Sequence, residues 1–202
     1  MIALSPVFAE EYSSHTDSVI CAARYGKTKL VTAKVIASLE TVVGMYIVYL
    51  FLYAVLYGGF YGFDGWNVSI QSSLHYASST YAITFLQMFL ISVALNILGI
   101  IALTVITLFL SAKMGSPVSA LIISCVVSFL PVLFDFTDSI PILQKMQEIC
   151  PIFMLHINGV FAAMKTYAGI IQPIIMIVFN LGIGVVFYVL IKKTFKRHQV
   201  IA

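Results

Sequence analysis

Long apolar runs dominate the chain. Residues 65–112 contain no Lys, Arg, Asp or Glu over 48 consecutive positions. Residues 117–134 and 166–191 are also free of charge, and residues 35–56 carry only Glu40, which lies close to their start. A charged side chain in the middle of a bilayer costs several kcal/mol, so such runs are typical of segments that lie in lipid. The pattern therefore predicts an integral membrane protein.

The lengths of these runs predict where the chain crosses the membrane. A helix needs about 20 apolar residues to cross a hydrocarbon core of roughly 30 Å. By this measure the sequence predicts four spans, at residues 35–57, 81–110, 117–134 and 170–191. None of the runs alternates strictly between apolar and polar residues, as the strand of a membrane barrel does. The predicted fold class is therefore all-α, a polytopic bundle of transmembrane helices.

Two of the predicted spans have unusual lengths. The second has 30 residues. It would be about 45 Å long as one straight helix, so it must tilt, bend near Gly99 or begin outside the bilayer. The third span is short and contains Pro131 near its end. Because proline removes a helical hydrogen bond, we expect this end to unwind early.

Charge is scarce and unevenly placed. Charged residues make up 9% of the chain and hydrophobic residues 61%, whereas about a quarter of an ordinary soluble domain is charged. Nine of the eleven Lys and Arg residues lie on one side of the four predicted spans. The positive-inside rule makes that side cytoplasmic, so we predict a multi-pass cell-membrane protein with both termini cytoplasmic and residues 58–80 and 135–165 outside. The net charge of +3 reflects this asymmetry and gives no reason to expect nucleic acid.

Aromatic residues and glycines crowd the outer end of the first predicted span. Amphipathic rings prefer the membrane–water interface, and the glycines among them favour a turn. Gly58 and Gly62 have the spacing of a helix-dimer motif, but at the end of a span a loop is the favoured interpretation. The aromatic residues are Tyr53, Tyr57, Phe60, Tyr61, Phe63 and Trp66.

Residues 1–34 form a separate segment on the predicted cytoplasmic side. Apolar residues recur in it at helical spacing, at Phe8, Tyr12, Val19 and Ala23. Thr16 and Asp17 are good N-cap residues for a short helix from Ser18, which Gly26 would end. The residues alone leave two interpretations open. The segment is either an interfacial helix anchored by its basic residues on anionic lipid headgroups, or a docking surface for a partner.

The order of residues in this segment resembles the cytoplasmic loop of type-2 ABC transporter permeases. That loop contains an aromatic residue, a Glu, a Thr, a basic turn and an Ala-Lys pair entering the next span. The matching residues are Phe8, Glu10 or Glu11, Thr16, then Ala23-Arg24-Tyr25-Gly26-Lys27-Thr28-Lys29-Leu30, and Ala33-Lys34. In that family the loop is the coupling helix, which rests on the ATP-binding subunit.

The resemblance implies a function and a set of contacts. The chain would be the permease subunit of an ATP-driven exporter, without a catalytic site or cofactor of its own. It would act as a homodimer or with a paired permease, in contact with membrane lipids and with a separate cytoplasmic ATP-binding subunit. The residues expected to contact that subunit are Phe8, Glu10, Glu11, Arg24 and Lys27.

The predicted span layout is similar to the last four spans of a six-span permease of that family. Residues 135–165 would be the semi-amphipathic outer segment that precedes the final span and dips into the outer leaflet, and residues 193–202 a cytoplasmic tail. The family has two spans before the coupling helix, where this chain has only residues 1–7. We therefore expect residues 1–7 to be the cytoplasmic end of a missing span, in a truncated or a reduced permease.

Polar residues within the predicted spans are few. Gln87, Asn96 and Asn180 are the notable ones, and each is expected to hold helices together through hydrogen bonds rather than to bind a ligand. Ion-driven carriers usually keep an ionisable residue near the bilayer midplane. The spans contain none there, which counts against a proton- or sodium-driven carrier.

The sequence does not favour an enzyme. Gly26-Lys27-Thr28 resembles the end of a P-loop, but that loop needs a glycine where Cys21 stands. The cysteines lie in different predicted compartments and have no metal-ligand spacing. Two alternatives to a permease stay open: a non-transporting membrane module, such as an immunity or assembly factor, and an orphan channel or carrier.

Overall fold

The computed structural model describes residues 1–14, 16, 29–77, 79, 81–133, 149–155 and 171–197. This part of the chain forms five α-helices and three short 3-10 turns, with no strand beyond a single bridge between Ser69 and Thr84. The helices are α1 (Pro6–Ser13), α2 (Val31–Tyr61), α3 (Phe85–Lys113), α4 (Pro117–Leu133) and α5 (Ile171–Arg197). The turns are η1 (Ile70–Ser72), η2 (Leu74–Tyr76) and η3 (Pro151–Leu155). The predicted all-α class is confirmed.

Three helices are long and apolar enough to cross a bilayer. They are α2 with 31 residues, α3 with 29, and the 21-residue section Ile174–Thr194 of α5. At 1.5 Å per residue these lengths are about 46, 44 and 32 Å, against a hydrocarbon core of about 30 Å. They correspond to the first, second and fourth predicted spans and indicate a membrane protein.

Helix α4 is apolar but has only 17 residues, or roughly 26 Å of helix. A spanning role for it therefore stays a prediction. The expectation that Pro131 unwinds its end is wrong, because the helix continues through this proline to Leu133. Proline has no N–H group and so removes one bond of the helical ladder, to the Val127 carbonyl group, but the φ angle that it imposes fits a helix.

Helix α3 is the centre of the bundle and packs against the four other helices and η3. At one end, which we call the α1 end, a buried cluster joins α1 to the start of α2 and to the ends of α3 and α5. It contains Leu4, Phe8, Val31, Val35, Val105, Leu108, Ala112 and Ile191. At the opposite end, the far end, a second cluster contains Ile70, Tyr76, Leu95, Met154 and Met176. Helix α2 thus runs from the α1 end to the far end, and α3 and α5 run back.

Position 99 requires glycine because η3 lies close to the backbone of α3 there, and not because α3 bends. Helix α3 is continuous, and η3 lies directly against it at Gly99. A Cβ atom at Gly99 would stand 2.9 Å from the Met154 Cβ and 3.0 Å from the Pro151 carbonyl oxygen. Residues 149–155 are the described part of the predicted outer segment 135–165, and here they are packed on the bundle, with Pro151, Ile152 and Met154 buried.

Small residues allow a similar approach on α4. Ala120, Ser124 and Ser128 follow one another at intervals of four residues, and all three are buried. Small side chains at this spacing let helices pack closely in membranes. They form the face of α4 that is turned into the bundle.

Candidate functional site

Helix α1 cannot be stable by itself, because eight residues are too few for an isolated helix in water. Its N-cap residue, Ser5, has helical backbone angles and makes no side-chain cap hydrogen bond. The hydroxyl of Ser5 donates instead to the carbonyl oxygen of Ile2, at 3.1 Å. Pro6 has no N–H group, and the Val7 N–H donates to the Leu4 carbonyl oxygen at 3.3 Å. Phe8 is therefore the residue in the first turn whose N–H group needs an acceptor from elsewhere in the chain.

Ser111, near the end of α3, supplies that acceptor. Its hydroxyl oxygen accepts hydrogen bonds from the backbone N–H groups of Phe8 and Ala9, both at 3.1 Å. The same hydroxyl donates to the carbonyl oxygen of Ser5, at 2.6 Å. Ser111 is completely buried, and a buried N–H group left unpaired costs about 1–3 kcal/mol. One hydroxyl of α3 thus caps α1 from a distant part of the sequence.

Lys34, in the first turn of α2, makes the second attachment of α1. Its ammonium group donates to the Val7 carbonyl oxygen, at 2.7 Å, and forms an ion pair with Glu11 Oε1. The ammonium also lies 5.1 Å from the centroid of the Phe8 ring. The side chains of Lys34 and Glu11 are 25% and 15% exposed, so this pair is less screened than a surface salt bridge. It ties α1 to α2 as Ser111 ties α1 to α3.

The predicted ATPase contacts fall into three groups. Phe8 is completely buried in the cluster at the α1 end, and Glu11 is paired with Lys34, so both hold α1 in place. Glu10 is exposed on the surface of α1. Arg24 and Lys27 lie outside the described residues, as does the short helix predicted from position 18.

An open cleft of about 480 Å³ lies beside α1. It is lined by Pro6, Val7, Glu10, Glu11, Ser14, Thr16 and Lys34. The exposed carboxylate of Glu10 and the polar residues after α1 give this cleft a hydrogen-bonding surface. Among the described residues no group of His, Cys, Asp or Glu could hold a metal ion. Because α1 is attached to α2 and α3 by polar contacts, a displacement of α1 would act on both helices.

Two of the three polar residues that were predicted to lie within the spans join separate elements. The Asn96 side-chain amide donates to the Tyr46 hydroxyl at 3.0 Å and so links α3 to α2. The Asn180 amide, on α5, donates to the carbonyl oxygen of Ile149 at 3.1 Å and to that of Met176 in its own helix at 2.8 Å. The bond from Asn180 to Ile149 holds the residues that precede η3 against α5.

Gln87 acts within its own helix. Its side-chain oxygen accepts from the backbone N–H of Thr84 at 3.1 Å, and its own N–H donates to the Thr84 hydroxyl at 3.3 Å. This reciprocal pair is a capping box, and it begins α3 at Phe85. Gln87 is exposed and makes no described contact with another helix.

The bond between Asn96 and Tyr46 can be measured by a double-mutant cycle. We expect the Tyr46→Phe and Asn96→Ala variants to show a coupling free energy of about 0.6 kcal/mol, the average for hydrogen bonds between membrane helices. Unfolding free energies of the two single variants and the double variant give this value. The Tyr49→Phe variant is the matched control, since Tyr49 lies exposed on α2 and makes no described bond to Asn96. A coupling no larger than that between Tyr49 and Asn96 would contradict the expected bond.

Comparison of the chain with models of protein families, with curated proteins and with solved structures gives no match. The resemblance to permeases therefore depends on the order of residues in segment 8–34 alone.

Proposed function

We propose that the chain is the membrane-spanning permease subunit of an ATP-driven exporter, and that α1 belongs to the segment through which a separate ATPase moves the helices. The observation that carries this proposal is the double attachment of α1. The buried cap from Ser111 and the ion pair of Glu11 with Lys34 connect one short surface helix to α2 and α3. A displacement of α1 is therefore passed to both helices instead of being absorbed by a flexible linker.

The distribution of charge supports a cytoplasmic position for α1. Lys29, Lys34, Lys113, Lys192 and Lys193 all lie at helix ends on the α1 end of the bundle. At the far end, Asp64 is the only charged side chain among the described residues. Positive charge is enriched on the cytoplasmic side of membrane proteins. The α1 end would then face the compartment that contains ATP.

In the proposed mechanism the partner is a cytoplasmic ATP-binding subunit, and Glu10, Arg24 and Lys27 are its contact residues. Phe8 and Glu11 would act behind this surface, as the residues that keep α1 attached to the helices. The permease would work as a homodimer or with a paired permease, so that movement of α1 in each copy changes access to a path between them.

Photo-crosslinking tests the proposed partner directly. A photoreactive amino acid at position 10, in the full chain expressed in its own cells, should form a crosslink to a protein that carries a P-loop sequence. The same amino acid at position 40, also an exposed acidic position but on α2, should not. Mass spectrometry identifies the crosslinked protein. Crosslinks from position 10 to lipid alone would contradict the proposal and identify segment 1–34 as an interfacial anchor.

Charge reversal at Glu10 gives a quantitative prediction for the ATPase that crosslinking identifies. Glu10 is exposed, so the Glu10→Lys variant should change the free energy of unfolding by no more than about 0.5 kcal/mol. Like charges placed opposite each other in an interface cost several kcal/mol, so the affinity for the ATPase should fall at least about tenfold. Binding of the purified subunits in nanodiscs measures this change.

The control for this measurement is Glu40→Lys, the same charge reversal on α2, which should leave ATPase binding unchanged. Glu11 is left intact in both variants, because its replacement would also break the ion pair with Lys34. Equal ATPase affinity of the wild type and the Glu10→Lys variant would exclude Glu10 from the interface.

A further inference from the structure

An aromatic cleft of about 440 Å³ lies at the far end of the bundle, on the side opposite α1. Seven aromatic side chains line it, from the end of α2, from the turn that follows, and from the first two turns of α3. Its one charged lining residue is Asp64. No part of the proposed coupling surface contributes to this cleft.

The sequence builds one wall of the cleft from a row of tyrosines. Tyr49, Tyr53, Tyr57 and Tyr61 recur every four residues and so share one face of α2. Their ring centroids are separated in turn by 6.5, 5.7 and 5.0 Å. The last three of these tyrosines line the cleft.

The turn after α2 supplies the opposite wall. Gly62 and Gly65 have φ angles of 71° and 90°, a left-handed conformation that favours glycine, and they reverse the chain toward α3. The Trp66 ring centroid then lies 5.5 Å from that of Phe63 and 5.5 Å from that of Phe89. The Trp66 carbonyl oxygen accepts from the Leu86 N–H at 3.0 Å, which fixes the turn on α3. The cleft is therefore built by backbone hydrogen bonds as well as by its rings.

The same turn explains the glycines at positions 58 and 62. Gly58 lies inside α2, and a Cβ atom there would stand 2.2 Å from the Phe63 ring, which covers this position. Gly62 ends the helix. The turn interpretation of these glycines therefore fits the structure, and the face around Gly58 is occupied by this chain's own ring.

Among the described residues, the cleft has negative charge without a compensating cation. The sequence contains no Lys or Arg between Lys34 and Lys113, so none belongs to the elements that line the cleft. Asp64 is exposed and forms no ion pair within the described residues. The end of α2 carries no basic residue in its last turn, and the C-terminus of a helix is the negative end of its dipole. The faces of aromatic rings are also negative.

We propose that this cleft binds an organic cation of the quaternary-ammonium type. Such cations are weakly hydrated, and proteins recognise them by enclosing them with aromatic faces, to which they are attracted electrostatically. Asp64 supplies the formal counter-charge at the same cleft. A neutral apolar molecule would gain nothing from that carboxylate, and a small, strongly hydrated inorganic cation would gain little from the rings. This proposal is independent of the proposed ATPase coupling, and the two are tested by different experiments.

Trp66 is the one tryptophan of the chain and reports on the cleft through its fluorescence. The protein in a non-ionic detergent is titrated with choline chloride and, in parallel, with 3,3-dimethyl-1-butanol, which replaces the ammonium nitrogen by carbon. Sodium chloride corrects for ionic strength. We expect choline to change the Trp66 emission saturably, with an affinity at least about tenfold higher than that of the neutral isostere.

Four variants separate the two contributions. Asp64→Asn should weaken choline binding about tenfold and leave the isostere unaffected, since only the charge is removed. Tyr57→Leu should weaken choline by a similar factor, whereas Tyr57→Phe, which keeps the ring, should stay within about threefold. Glu40→Gln removes an exposed carboxylate far from the cleft and should have no effect. Equal affinities for choline and the isostere, or equal effects of Asp64→Asn and Glu40→Gln, would overturn the proposal.

Nanodiscs distinguish a lipid headgroup from a soluble cation as the source of the ammonium group. If the headgroup occupies the cleft, soluble choline should alter Trp66 emission in phosphatidylglycerol nanodiscs but not in phosphatidylcholine nanodiscs. If the ligand is a soluble cation, choline should act in both. Either result supports a quaternary-ammonium site, and no response in phosphatidylglycerol nanodiscs would contradict it.

Discussion

Replacing Ser111 by alanine is expected to release α1 from the bundle. The substitution removes the acceptor for the Phe8 and Ala9 amides and the donor to the Ser5 carbonyl oxygen, all at a fully buried position. The expected loss of unfolding free energy is about 1–3 kcal/mol, because the buried N–H group of Phe8, which precedes the first intrahelical bond, is left without an acceptor. Hydrogen exchange in nanodiscs should show fast exchange of the Phe8 and Ala9 amides, while the amides of α3 stay protected.

Ser92→Ala is the matched control for this prediction. Ser92 also lies on α3, but its hydroxyl donates to the Met88 carbonyl oxygen of the same helix, at 2.7 Å. Because this carbonyl group already belongs to the helical ladder, the variant should cost no more than about 0.5 kcal/mol. Unchanged exchange of the Phe8 amide in Ser111→Ala would show that α1 is held by its apolar contacts alone.

Replacing Gly99 by leucine is expected to push η3 away from α3. A Cβ atom at this position already stands 3.0 Å from the Pro151 carbonyl oxygen, and a backbone atom cannot move aside as a side chain does. Overpacking of a tight site typically costs about 1–3 kcal/mol, so we expect a loss at the upper end of this range. The substitution therefore changes both the stability and the position of the segment before α5.

Cys150 lies next to η3 and reports on this displacement. Burial raises the pKa of the Cys150 thiol above its ordinary value, so less of the reactive thiolate is present at a given pH. Displacement of η3 should lower this pKa toward the ordinary value and accelerate alkylation at neutral pH. Mass spectrometry of the peptides measures the rate at Cys150 separately from that at Cys125.

Gly182→Leu provides the comparison, since Gly182 lies on α5 and a Cβ atom there would meet no other atom within 4 Å. This variant should keep the slow alkylation of Cys150. If Gly99→Leu also leaves the alkylation rate unchanged, η3 does not depend on the close approach at Gly99.

The positions of the long helices could be predicted because lipid selects for apolar composition. The ends of these helices could not be predicted in the same way, because local capping contacts and turn geometry set them. Residues 81–83 are as apolar as a span, yet α3 begins at Phe85, where Thr84 and Gln87 cap it. Helix α2 continues beyond the predicted end at 57 to Tyr61, since the left-handed Gly62 is the residue that ends it.

The residues of α1 were recognisable in the sequence, but their attachment was not. Phe8 and Glu11 belong to an ordered series within one segment, whereas Ser111 is a single hydroxyl in an apolar run. A serine in such a helix usually bonds to its own backbone, and no periodic pattern indicates a contact across 103 positions. The aromatic residues near Trp66 were likewise predicted as an interfacial belt. Their arrangement as a cleft depends on the turn geometry at Gly62 and Gly65.

The long separation between α1 and Ser111 has a consequence for biosynthesis. A ribosome adds about 5–20 residues per second, so α1 is made roughly 5–20 s before Ser111. During this interval the Phe8 ring and the first amides of α1 have no partner from α3. Helix α1 can therefore dock only after α3 has been made, although it is translated before α3. The docking of α1 thus marks the point at which α3 is in place.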